Sequence, residues 1–266
     1  MSSASLCFIL GAKDLEMDTI ESVLKSSGAL FGYAGVVRGD NGQTVRVGPN
    51  NAYRAETIIG VDAIAHHRLV FVECDFERCD HHRVIDAGYG KSPEEFLEAS
   101  SIGQVIRMLV RNGIEVPVTG RIRAVAAADH CLPAAYQGEC PGVSPEQVLE
   151  VRLPELCLRH GMPEADVRAG IDAARALLAS APFVEIGAGN PVRDLRHYGV
   201  QPFVLEAATM AGAHFLGHVD TRDPKKIMLS AFVETVQCFL NGWAQHSGIS
   251  GLYGDPGRGF AGGSVA

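Results

Sequence analysis

Short apolar runs alternating with helix-period segments dominate the pattern of this chain. Residues 6–10 (LCFIL) read as a buried strand and Gly11-Ala12-Lys13-Asp14 as the turn after it. From Leu15 the apolar positions Met17, Ile20, Val23 and Leu24 recur at helical spacing up to Gly28, a residue suited to the position just past a helix. Residues 34–37 and 44–47 predict a hairpin around Asp40-Asn41-Gly42. The run 69–72 (LVFV) is long enough for a buried strand and too short for a helix. Ser92-Pro93-Glu94-Glu95 reads as a capping box opening a helix on Phe96, Ile102, Val105, Ile106 and Leu109, ended by Gly113. The apolar run 122–128 predicts a further strand, ending at Asp129-His130-Cys131.

Beyond Pro133, Pro141 and Pro145 the pattern turns helical. One stretch starts near Pro145 and is expected to break at Pro154; a stronger one starts at Pro163 and runs on Val167, Ile171, Ala174, Leu177 and Leu178. Residues 183–186, 203–205 and 227–229 then read as short strands and 233–243 as a helix, and the glycine-rich segment 253–263 reads as a loop. The alternation predicts an α/β fold, a parallel sheet flanked by helices with a second, smaller α/β domain. The expected division is a metal-binding domain over 1–144, a helical connector over 145–182 and a small substrate-binding domain over 183–266.

Composition narrows the function. The 266 residues are 47% hydrophobic and 20% charged, which is ordinary for a globular protein and argues against disorder. A formal net charge of −8 and a sequence pI near 5.7 oppose tracking along long nucleic acid and leave room for a small phosphorylated ligand. Seven scattered cysteines suggest a reducing compartment rather than a disulfide framework. The N-terminal stretch has no basic region, and Gly11 and Asp14 interrupt its apolar run, so the expectation is a cytoplasmic protein without a membrane partner.

The chemistry concentrates after the run 69–72. Glu73, Cys74, Asp75, Glu77, Cys79, Asp80, His81 and His82 place eight potential metal ligands within ten residues, at the carboxyl end of an expected parallel strand. Glu16, Asp18 and Asp129 follow or end other elements. Several carboxylates with imidazole suit a pair of divalent cations about 3.5–4 Å apart, the arrangement that neutralises phosphate oxygen charge during ester hydrolysis. Cys74, Cys79, His81 and Asp129-His130-Cys131 keep a zinc hydrolase or deaminase open as a rival.

Asp80-His81-His82, preceded by a strand ending in an acid and followed by Ser100-Ser101 on a helix, resembles the signature of the DHH phosphoesterase family. The likeness covers about residues 6–130, with Glu16-Met17-Asp18 at the place of the family's first acidic pair and Asp129 at its later acid. Ala12 stands where the family has a histidine, so one of the two metals is expected to bind weakly or not at all. The resemblance implies Mn2+ or Mg2+ held by Glu16, Asp18, Asp75, Asp80, His81 and Asp129, with Asp80, His81 and His82 as catalytic residues. It further implies His82, Arg83, Arg258, Gly259, Gly262 and Gly263 as substrate contacts, the glycines cradling an anion in the terminal loop. The expected substrate is a short oligonucleotide, cyclic dinucleotide or nucleoside bisphosphate. A degenerate nucleotide-binding protein without turnover is the remaining alternative, and a homodimer is left open.

Overall fold

Two sheets carry the fold in the computed structural model, which describes residues 6–38, 41–48, 55–61, 66–74, 78–82, 85–187 and 190–265. The apolar run at the start forms β1 (Leu6–Leu10), followed by α1 (Leu15–Ser26), whose N-terminus is capped by Asp14 through the Met17 N–H at 2.8 Å. Next come β2 (Leu30–Arg38), β3 (Gln43–Arg46), β4 (Thr57–Ile59), β5 (Arg68–Val72) and β6 (Arg78–Cys79). The sheet order is β3-β2-β1-β5-β6, with β4 also pairing β2. Strands β2, β1, β5 and β6 run parallel, whereas β3 and β4 add to β2 antiparallel. The fold is therefore mixed α/β, and the expected parallel sheet holds for its centre only. The predicted hairpin is present, with Arg38 paired to Gln43.

Period-2 alternation places Cys7 and Ile9 on one face, clustered with Ala34 and Val36, and turns Phe8 and Leu10 to the other; all four β1 side chains are fully buried. β1, β5 and β6 end side by side at Gly11, Glu73 and Asp80. Three parallel carboxyl ends meeting at one edge is the arrangement that builds a site in open α/β sheets.

The helix expected from Ser92 to Gly113 is broken. A 3-10 turn, Pro93–Glu95, leads into α2 (Phe96–Ala99); the chain turns extended at Ser100, and α3 (Ser101–Arg111) starts again. The Ser92 side chain makes no cap hydrogen bond; the cap that forms belongs to Ser100, whose Oγ accepts from the Gly103 N–H at 3.2 Å. Gly103 permits the break, because a Cβ there would stand 1.5 Å from the Leu97 carbonyl oxygen. Gly103→Ala is expected to lower stability by roughly 2–4 kcal/mol, as forced backbone movement in a packed region does. Denaturant unfolding within about 0.5 kcal/mol of wild type would contradict this account.

The run 122–128 is not a strand. It lies in α4 (Gly120–Tyr136), capped by Thr119, and its alanines Ala124, Ala126, Ala127 and Ala128 are buried. A short run in which every residue but Arg123 is buried carries no periodicity to separate strand from helix, and alanine favours the helix. α4 kinks at Cys131 (φ −151, ψ 56), two residues before Pro133. α5 (Pro145–His160) continues through Pro154 rather than breaking there, with Val148, Val151 and Leu153 buried along it.

The chain divides into compact units at 1–155 and 156–266, a division that falls inside α5. The second unit contains α6 (Glu164–Ser180), β7 (Phe183–Val184), β8 (Val192–Asp194), α7 (Val204–Ala211), β9 (Phe215–Gly217), β10 (Lys226–Ser230) and α8 (Val233–Cys238). β11 (Ile249–Asp255) and β12 (Phe260–Val265) complete a sheet of order β11-β12-β10-β9-β8-β7. Residues 203–205, expected as a strand, instead open α7, which Gly212 closes at φ 58. Among the described residues no helix is long and apolar enough to cross a membrane.

The terminal glycine-rich segment is a hairpin, not an open loop. Gly262 and Gly263 lie in β12, which pairs with β10 on one side and β11 on the other, so their N–H groups belong to a ladder rather than an anion cradle. Their lack of a side chain is used for close packing: a Cβ on Gly262 would meet the Tyr253 ring at 2.6 Å. Gly259 donates its N–H to the Pro256 carbonyl in the turn.

Candidate metal centre

The strand ends supply the first ligands. Glu73 follows β5 directly, and its backbone has φ 52, the one positive value at a non-glycine among the described residues. Such a conformation costs on the order of 1–3 kcal/mol and persists where surrounding structure holds it. Asp80 follows β6 and is fully buried. Its Oδ1 accepts from the His81 N–H at 2.7 Å, the His82 N–H at 3.0 Å and the His82 ring Nδ1 at 2.7 Å. The consecutive Asp-His-His residues are thus folded around one carboxylate. Gln104 on α3 donates to the Asp80 carbonyl at 2.9 Å and fixes the same turn.

Helices supply the rest. Glu16, in the first turn of α1, is buried; its Oε1 accepts from the Ile102 N–H at 2.9 Å, while its Oε2 is buried without a hydrogen-bond partner. Asp129 comes from within α4 and meets His81 Nε2 at 3.0 Å. Ser101, at the start of α3, donates to Glu73 Oε1 at 2.8 Å and lies 3.5 Å from His81 Nδ1. His81 stacks on His82, with ring centroids 4.3 Å apart, and His130 meets it edge-on at 5.2 Å. His130 donates from Nε2 to the Lys91 carbonyl at 3.1 Å, leaving a buried Nδ1 without a hydrogen-bond partner.

Among the described residues two groups of potential ligand atoms result, each with its atoms within 4.8 Å of one another: Glu73, Asp80, His81 and His82, and Glu16, Glu73, His81 and Asp129. Glu73 and His81 belong to both. The donors are carboxylate oxygens and imidazole nitrogens, a set that fits Mn2+, Mg2+ or another divalent cation of similar hardness, and the orphaned Glu16 oxygen gives such an ion a buried anchor.

The electrostatics express crowding of like charge. Burial, and then the charges of Asp129 and Glu73, hold Glu16 well above the usual carboxyl range; burial and then Asp129 push Glu73 up to about 7. Burial also acts on Asp80 and Asp129, but it is outweighed by hydrogen bonds from His82 and its backbone at Asp80, and by His81 at Asp129, so both carboxyls end below their ordinary range. The Asp80 hydrogen bond lifts His82 to about 9. Burial lowers His130.

Of the expected ligands, Glu16, Asp80, His81 and Asp129 come together here, and so does His82. Asp18 does not: it stands exposed on α1, with Lys13 as an ion-pair partner at 3.8 Å. Two residues along a helix turn about 200°, so Glu16 and Asp18 cannot both face one centre. Asp14, the helix cap, is the neighbour whose charge acts on Glu73. Asp75 and Arg83 lie outside the described residues, as does the side chain of Arg258. The sequence counts Glu73 among the eight potential ligands, with the strand-end acid either Glu73 or Asp75, but the expected ligand set takes Asp75, and Ser101 has no place in the expected site. Glu73 is visible as an acid at the strand end, Ser101 only as half of a serine pair expected inside an unbroken helix.

The cysteines proposed for zinc face elsewhere. Cys74 Sγ lies 3.4 Å from the Ile9 carbonyl oxygen, Cys79 Sγ lies 3.9 Å from Met108 Sδ, and Cys131 Sγ sits 3.3 Å from Cys140 Sγ. Burial pushes the Cys79 thiol up to about 12, which disfavours the thiolate that zinc requires.

Comparison with protein-family models, curated proteins and solved structures finds no match for this chain.

Proposed function

We propose that this protein is a divalent-metal-dependent phosphoesterase acting on a small phosphorylated substrate. The observation that carries the reading is the pair of overlapping ligand groups sharing Glu73 and His81, at the carboxyl ends of three adjacent parallel strands. Glu16, Glu73, Asp129 and His81 would hold one cation, and Glu73 and Asp80 are the carboxylates that would face a second, with His82 beside them. A bound divalent cation supplies Lewis acidity toward a phosphoryl oxygen. The order of strand-end acid, Asp80-His81-His82 and Ser100-Ser101 resembles the DHH phosphoesterases and supports the same chemistry.

The chain's own residues then have distinct tasks. Buried carboxylates neutralise a cation where solvent competes least. His82 is half exposed and anchors its Nδ1 on Asp80, so its Nε2 is the nitrogen turned away from that carboxylate, placed to donate to a phosphate oxygen or a leaving oxygen. The net charge of −8 favours a small substrate over a long polyanion.

The test is metal analysis of EDTA-stripped and Mn2+-reloaded protein, followed by a Mn2+-supplemented screen of phosphate mono- and diesters with wild type and Asp80→Asn. Expected are stoichiometric Mn2+ in wild type and hydrolysis of at least one phosphodiester that falls to background in the variant. Protein that takes up no Mn2+ would overturn the reading. Protein that binds Mn2+ without turning over any ester would reduce it to a metal-dependent binding role.

A further inference from the structure

We propose that Cys131 and Cys140 form a modification site, a dithiol that a low-molecular-weight disulfide of the oxidised-glutathione class converts to an intramolecular disulfide. Neither cysteine belongs to a ligand group, so the site stands or falls apart from the metal reading.

The two sulfurs are already in contact. Cys131 Sγ lies 3.3 Å from Cys140 Sγ and both are free thiols; a disulfide bond is about 2.0 Å long, so closure needs an approach of roughly 1.3 Å. Cys131 is the residue at which α4 leaves helical geometry, with φ −151 and ψ 56, and it is not locked into a regular helical turn. Its partner is held from outside the helix. Cys140 lies in the connector between α4 and α5, where Arg123 Nη2 on α4 donates to the carbonyl of the next residue, Pro141, at 2.6 Å, and the Val143 N–H donates to the Cys140 carbonyl at 3.1 Å. The connector is thus tied down beside α4, and the thiol contact belongs to a packed turn rather than to a loose end.

Exposure orders the chemistry. Cys131 is partly exposed and Cys140 buried, so the small disulfide meets Cys131 first. The Cys131 sulfur, giving up its proton, attacks one sulfur of the reagent; a mixed disulfide forms and the first small thiol leaves with that proton. Cys140 then attacks the Cys131 sulfur, the Cys131–Cys140 bond forms as the mixed disulfide breaks, and the second small thiol leaves with the Cys140 proton. The protein loses two electrons and two protons, and the reagent gains both. Burial raises both thiols, which slows the attack and also denies the reduced pair the thiolate stabilisation that would favour it at equilibrium. Where thiols are otherwise kept reduced, such a pair responds to redox conditions instead of forming a permanent cross-link. Its place gives the bond a structural consequence. Pro133 lacks the N–H that a helix directs to the carbonyl four residues back, that of Asp129, and a Cys131–Cys140 bond would fasten this weakened turn to the connector.

The experiment equilibrates the full chain, folded and separately in denaturant, with reduced and oxidised glutathione at graded ratios, then alkylates the remaining thiols and maps the cysteines by mass spectrometry. Expected is an intramolecular Cys131–Cys140 bond that forms about 10-fold more readily in the folded protein than in the denatured chain, because the native structure holds the two sulfurs in contact. Folded wild type without that bond at any ratio would overturn the proposal. So would a folded protein no easier to oxidise at this pair than the denatured chain, or one that joins either cysteine to a different partner. Cys140→Ser is expected to stop at a mixed disulfide on Cys131, and a variant carrying no glutathione there would overturn the order of attack. Should that variant fail to fold, the wild-type comparison decides alone.

Discussion

Glu73→Gln is expected to weaken Mn2+ binding by more than about 100-fold and, in the same molecule, to make the metal-free protein more stable. Glu73 belongs to both ligand groups found among the described residues, so its loss touches each of them. Hydrogen-bond partners of metal ligands typically account for 10–100-fold in affinity, and a shared charged ligand should exceed that. The stability gain has a separate cause. Burial, and then the charge of Asp129, push the Glu73 carboxyl up to about 7, so near neutral pH the ionised form is held at a cost in the absence of a cation. A neutral amide of the same shape removes that cost, on the order of 1–3 kcal/mol. A site that destabilises its own fold for function shows this opposition between affinity and stability. Calorimetric titration with thermal unfolding of the EDTA-treated variant reads both numbers. A variant that binds Mn2+ like wild type would remove Glu73 from the centre, and one that lost stability would show its carboxylate to be structural.

Metal-free wild type is expected to lose stability as pH rises from about 4.5 to about 7, and Mn2+ is expected to cancel that loss. Below about pH 4.5 the Glu73 carboxyl is protonated in folded and unfolded chains alike, and its favourable contribution is fully present. Between that value and about 7 the unfolded chain releases the proton while the folded chain keeps it, and the contribution disappears. The raised carboxyl corresponds to on the order of 3 kcal/mol over this window. Glu16 is shifted in the same direction for the same reason and adds to the slope. His130, lowered by burial, opposes it as pH rises toward the ordinary histidine range. The depressed carboxyls Asp80 and Asp129 also act the other way, but below the ordinary carboxyl range, where protonation removes their contribution. Denaturant midpoints at half-unit pH steps, with and without saturating Mn2+, test this. A flat or rising metal-free profile from 4.5 to 7 would contradict the electrostatic account of the cluster. Glu73→Gln should remove the Glu73 share of the slope and leave the shares of Glu16 and of Asp14, which burial raises to about 6, and the difference isolates this carboxyl from the others.

Much of the first unit was legible because its signals are local. Five apolar residues before Gly11, the 3.6-residue recurrence from Leu15 and the Asn-Gly turn each depend on neighbours in the chain, and β1, α1 and the β2-β3 hairpin follow them. Asp80-His81-His82 was legible for the same reason. A dense run of ligand types beside a buried strand remains one after folding, and the hydrogen bonds around Asp80 Oδ1 span only two residues. Register around the helix was also implicit in the sequence: once α1 begins at Leu15, Glu16 and Asp18 must point apart, yet a reading of the acids as a pair passes over that.

What the sequence determined by itself is therefore the set of elements whose hydrophobic period is unambiguous, and the cluster of acids and histidines that one strand end carries. Tertiary structure decided the rest. Residues 122–128 form helix with all but Arg123 buried, which erases the period that would have declared it, and the helix brings Asp129 in from α4. The helix after Pro93 broke at Ser100 and resumed so that Ser101 and Ile102 reach Glu73 and Glu16, partners 28 and 86 residues away in the chain. The glycines near the end serve a strand paired on both sides, because composition reports only that a Cβ is missing, and packing determines whether the vacated space takes a ligand or a neighbouring strand.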